Sequence, residues 1–172
     1  MLETKKHLIA FKEMNVFEEK DLKHNLHAKY NLVGVKADKI TNKILKYNVD
    51  FIELSSIKNI KKSLVNICKQ HNIFIKVNLS EYSQDKLLFC GLLKKLLVFR
   101  AWRIMVITDD FLCSTRRVMG ILEGFGFKRR NAGKIVENEE KMCKNALLKR
   151  YAYQNTFLNK ETTPTDVLEI FY

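Results

Sequence analysis

Two carboxylates stand side by side at Asp109-Asp110, directly after an apolar run that ends in Thr108. Such a pair could hold a divalent cation if further ligands converged on it. Neighbouring residues on a strand end point opposite ways, however, and Asp110 is equally suited to cap a helix starting at Phe111. His24 and His27 have the i,i+3 spacing of one helix face, but no HxH or HExxH and no nearby cysteine joins them. Ser55, Ser56, Ser80 and Ser114 lack the GxSxG setting of an activated serine. The Gly-Phe-Gly-Phe run at 124–127 matches neither GxGxxG nor the GxxxxGK phosphate loop. No catalytic constellation emerges, and the chemistry left is that of cations.

That chemistry is concentrated. Between Lys86 and Arg150 there are fifteen Lys/Arg and six acids, so this stretch carries nine of the net +12 charges. A basic half on a compact chain is the electrostatic footprint of a nucleic-acid binder. An anionic membrane suits the pattern less well, because the cations are spread over several elements. Lys128, Arg129 and Arg130 follow the glycine-aromatic turn, at or just before a predicted helix start. There they oppose the helix macrodipole, which favours anions, and a phosphate partner would supply the missing negative charge. Arg116, Arg117, Lys128, Arg129, Arg130 and Lys134 are the leading phosphate contacts, with Arg103 and Arg150 as lesser candidates. Phe99, Trp102, Phe125, Phe127 and Tyr151 lie among them and suit either base stacking or the core.

These residues need elements to position them. With one proline and six glycines in 172 residues, the chain is built from regular structure, not long loops. Near-continuous apolar runs predict parallel strands at His7–Phe11, Asn31–Val35, Val49–Leu54, Ile73–Leu79 and Arg103–Thr108. Helical spacing fits Glu18–Lys29, Lys39–Tyr47, Ile57–Gln70, Asp85–Trp102 and Phe111–Gly124. Two short helices, split near Glu137-Asn138, should follow. The expected fold is α/β: either an open doubly wound sheet or an incomplete TIM-type barrel, since a full one needs about 250 residues. Residues 1–150 read as one domain, and 151–172 as a tail with a short terminal helix after Thr163-Pro164. Cys68, Cys90, Cys113 and Cys143 form no CxxC pair and lie in apolar helical contexts, which fits a reducing compartment. No leader-like apolar stretch opens the sequence, and Lys94-Lys95 interrupt the greasiest segment, so no membrane partner is expected.

In the order of its segments the sequence resembles the PHP-like TIM-barrel protein subunit of ribonuclease P and RNase MRP, the thirty-kilodalton subunit family. KYNLVGVKAD resembles the family's strand with a Tyr-Asp opening, with Asn31 in place of the aspartate. NVDFIEL keeps its Val-Asp-Ile core as Val49, Asp50 and Phe51. HNIFIKVNLSEYS takes the place of its phenylalanine-glutamate strand, and RIMVITDD with GILEGFGFKRRNAGKIVENEEKMCKNAL that of the last strand and closing helices. The family's glutamate in the fourth strand is Lys76 here, its following proline is Glu81, and its Ser-Ser-Ala is Thr108-Asp109-Asp110. Its Arg-x-Pro loop is reduced to Arg116-Arg117, and its first β/α units have no counterpart.

The resemblance implies an incomplete TIM-barrel-like (PHP-like) domain of about five to six mostly parallel strands with crossover helices. It implies a non-catalytic subunit that binds ribonuclease P RNA and supports tRNA 5′-leader removal, with RNase MRP as a second complex. The implied partners are that RNA, precursor tRNA and other protein subunits, notably a small RRM-like one. The protein would bind no cofactor, magnesium sitting on the RNA, and would be nuclear and nucleolar. Two other readings stand beside it. One is a metal-dependent phosphoesterase using Asp109, Asp110 and His24 or His27. The other is a five-stranded receiver-like interaction domain.

Overall fold

A computed structural model describes residues 14–23, 26, 30, 32–54, 60–108 and 115–153, except the side chains of residues 82, 83 and 150–153. Among the described residues five strands form one sheet: β1 (Met14–Glu18), β2 (Leu32–Lys36), β3 (Phe51–Glu53), β4 (Phe74–Asn78) and β5 (Met105–Thr108). Every neighbouring pair is parallel, and the spatial order is the chain order. The helices are α1 (Asn42–Lys46), α2 (Lys62–Gln70), α3 (Lys86–Val98), α4 (Thr115–Gly124) and α5 (Arg129–Tyr153).

The order decides between the two architectures. A doubly wound sheet reverses direction at a switch point, and these five strands never reverse. A receiver-like order would seat a strand from His7–Phe11 between Leu32–Lys36 and Phe51–Glu53, yet those two pair directly. That reading is therefore corrected. Sequential parallel strands with right-handed crossovers keep the helices on one face, as in a barrel wall, but here the sheet is open.

Alternation sorts the sheet residues onto two faces. Val33, Val35, Ile52, Ile75, Val77, Met105 and Ile107 share one face and are buried. The other face holds Gly34, Phe51 and Phe74 in one register row and Lys36, Glu53, Lys76 and Val106 in the next. Phe51 lies so close over β2 that a Cβ at Gly34 would be 2.2 Å from its ring, so glycine alone fits there. Cys68 is fully buried in α2, and burial pushes its thiol up to about 12, the state of a core residue.

Three predicted elements need correction. The helix proposed for Glu18–Lys29 does not begin at Glu18: that residue ends β1, and Glu19–Asp21 form a 3-10 turn before Leu22 returns to extended backbone, whereas Leu26 is helical and its carbonyl accepts the Tyr30 N–H at 2.9 Å, residues 24, 25 and 27–29 lying outside the described ones. Pairing with β2 claims Glu18, the one residue that β1 shares with the proposed helix. The helix proposed for Asp85–Trp102 stops at Val98, because Arg100 takes a left-handed conformation (φ 55°) and Ala101–Arg103 form a 3-10 turn. The proposed break at Glu137-Asn138 does not exist: α5 runs 25 residues without interruption. No proline stands in that run, and Asn138 turns its amide outward to other backbone instead of competing with its own helix. The predicted strand His7–Phe11 and terminal helix after Thr163 lie outside the described residues, as do Asp109, Asp110, His24 and His27.

Candidate nucleic-acid interface

The carboxyl ends of parallel strands are where α/β folds place their sites. Here Glu18, Lys36, Glu53 and Lys76 stand in register on four neighbouring strands, alternating in sign. Lys76 donates to Glu53 at 2.7 Å and its ammonium lies 6.0 Å from the Phe51 ring centroid. Glu81, in the turn after β4, has its carboxyl pushed up by burial and by Glu53, against the pull of Lys76. Among the described residues no group of three His, Cys, Asp or Glu could hold a metal. At this end of the sheet Lys76 and Glu53 neutralise each other.

The basic surface lies elsewhere, around Trp102. That residue sits on the 3-10 turn between α3 and β5, with Ala101 beside it fully buried. Across from it, α5 presents Lys134, Glu137, Asn138, Lys141 and Lys144, the i, i+3, i+4, i+7 spacing of one helix face. An open groove of about 620 Å³ lies between the turn and this helix face. The Arg103 guanidinium and the Lys134 ammonium each sit 5.2 Å from the Trp102 ring centroid. Such cation–π contacts are worth about 0.5–1 kcal/mol at exposed sites. Lys144 is paired with Glu140 at 2.7 Å.

The floor of the groove is pinned. Asn138, buried on α5, donates from its amide to the Trp102 carbonyl at 3.0 Å and to the Met105 carbonyl at 2.8 Å. Those two bonds tie α5 to the start of β5, and leaving either carbonyl unpaired in the interior costs about 1–3 kcal/mol. Positive potential extends beyond the groove. Lys69, which donates to the Phe99 carbonyl at 2.6 Å, is held below its usual basicity, first by burial and then by Arg103, Arg100 and Lys62. Four cations from α2 and the α3–β5 connection thus crowd one corner.

Arg103 and Lys134, more than 30 residues apart, are brought together here. Lys128 lies immediately before α5, with its carbonyl accepting from Asn131 and Ala132, and Arg129 and Arg130 open the helix. All three are exposed, as are Arg116 and Arg117 on α4, which packs against α5. Arg150 is within α5, but its side chain lies outside the described residues. Lys62, Lys69 and Arg100 were missed from sequence because only the fold gathers them. Lys141 and Lys144 carried a signal, their helical spacing from Lys134, which an imagined break at Glu137-Asn138 concealed. Phe127 is buried, and Phe99, Trp102 and Phe125 all pack partly buried against the core; of these Trp102 is the one that lines the groove.

Not every cation in the basic half faces outward. Lys149, near the end of α5, donates to the Asn48 carbonyl at 3.1 Å, the Val49 carbonyl at 3.0 Å and Asp50 Oδ1 at 3.0 Å. The other oxygen of buried Asp50 accepts the Val33 N–H at 2.9 Å. Lys149 therefore staples α5 to the start of β3.

No family model matches this chain, and no curated protein matches it. Among solved structures, a cryo-EM structure of archaeal ribonuclease P with mature tRNA contains a chain of similar fold, at a TM-score of 0.51 and 16% identity. The match covers 79% of this chain and 64% of that one, so this chain spans less than two-thirds of its length. At that identity the likeness is one of fold.

Proposed function

We propose that this chain is a non-catalytic protein subunit of a ribonuclease P-type ribonucleoprotein. It binds the RNA subunit and supports 5′-leader removal from precursor tRNA. The observation that carries the reading is the shared fold with a chain of archaeal ribonuclease P. The cationic Trp102 corner and the exposed Lys128–Arg130 turn support it, because a phosphate backbone is the partner that such surfaces suit. At the strand ends Lys76 and Glu53 neutralise each other, which favours the basic surface as the candidate for function. A thirty-kilodalton-type subunit working with a small RRM-like protein, in RNase MRP as well and in the nucleolus, is the finer form of the proposal. Affinity capture of the tagged chain from its own cells tests it. A ribonuclease P RNA enriched with the protein is the expected result; recovery of no specific RNA defeats the reading.

A further inference from the structure

We propose that the Trp102 groove is a binding site for single-stranded RNA, in which one unpaired base stacks on the indole and its flanking phosphates are taken by Arg103 and Lys134. The inference rests on the RNA-binding reading above and specifies where and in what form the RNA is held. Three observations carry it. The groove is wide and open, and the half-buried indole of Trp102, packed on the core, lines it with its exposed part. Two cations from different elements already stand 5.2 Å from that ring, within reach of any chain that lies across it. The backbone beneath is fixed by Asn138, so the platform is preorganised.

Competition for the indole favours the base. Stacking a nucleobase on an aromatic ring is a stronger contact than a cation–π pair at an exposed site. A base can therefore displace one cation from the ring, and that cation is left beside the phosphate of the same nucleotide. Arg103 is exposed and Lys134 half-exposed, so both have room to swing. The groove wall carries four cations against two carboxylates, and one of those, Glu140, is neutralised by Lys144. An acidic peptide would use the cations but give the indole nothing. A duplex keeps its bases stacked on one another and cannot present one to the ring.

The chain contains one tryptophan, so its intrinsic fluorescence reports on this groove alone. The full-length protein is titrated with an unlabelled single-stranded oligoribonucleotide of about ten nucleotides, while anisotropy of a labelled copy follows binding. Quenching of Trp102 emission that saturates together with the anisotropy is expected. Trp102→Ala should weaken binding about tenfold, whereas Trp102→Phe should retain most of it. Arg103→Ala and Lys134→Ala should each lower the log–log salt slope by about 0.7. Binding with unchanged Trp102 emission overturns the groove while leaving the RNA-binding reading in place. Equal quenching by an RNA duplex or by polyglutamate also overturns it. Absence of any RNA binding removes both readings. The wild-type quenching decides the matter even if Trp102→Ala proves unstable.

Discussion

Near its carboxyl end, α5 holds Lys149 inside the fold, its side chain 15% exposed and shared among two carbonyls and Asp50. At its amino end the same helix presents Arg129 and Arg130 to solvent. Each of these cations adds one unit to the net charge, but the two ends do opposite things. Lys149 compensates a buried carboxylate and fastens the helix to the start of β3. Among the described residues no ion pair holds Arg129 or Arg130, and they sit where the helix dipole disfavours them. A residue placed against its local electrostatic preference on an exposed turn points outward, to a partner that supplies the opposite charge. A footprint read from net charge must therefore exclude the cations that the fold itself neutralises, such as Lys149 and Lys76.

The comparison can be broken at either end of the helix. Lys149→Ala leaves Asp50 buried without its cation, and removing one partner of a buried pair costs about 3–5 kcal/mol. Chemical denaturation should show a loss of that size. RNA affinity measured well below the new melting temperature should be unchanged. The reverse is expected for Lys128→Ala, Arg129→Ala and Arg130→Ala combined. Stability should hold, or rise by about 0.3–1 kcal/mol for each cation removed from the first turn of the helix. The slope of log affinity against log salt should fall by about two. If Lys149→Ala weakened RNA binding while the triple variant left the slope intact, the assignment of the two ends would be reversed.

Much of the frame was legible in the residues. The runs around Val33, Val35, Ile52, Ile75, Val77 and Val106 gave four strands to within about two residues at each end, because strands buried on both faces read as unbroken apolar stretches. β1 was not legible: Val16 and Glu18 are exposed on an edge strand, so its five residues lack the unbroken apolar run that marked the others. Leu22 and Leu26 are core residues. The exposed triplet at 128–130 was legible because its chemistry is local, three cations beside a glycine turn. The Trp102 groove was not, because it depends on a left-handed turn at Arg100 and on Asn138 reaching back 33 residues to Met105. The Asp50–Lys149 staple, 99 residues long, was beyond any pattern in the sequence.

Ultraviolet crosslinking of the captured ribonucleoprotein, read by mass spectrometry of nucleotide-bearing peptides, addresses the outward-facing surface directly. Crosslinks should concentrate on peptides containing Trp102-Arg103, Lys128–Lys134 and the Lys141–Lys144 turn, and should spare Lys149 and the Glu53–Lys76 strand ends. Crosslinks concentrated on Lys36, Lys76 and the open strand ends, with none at Trp102 or Lys128–Arg130, would contradict the account.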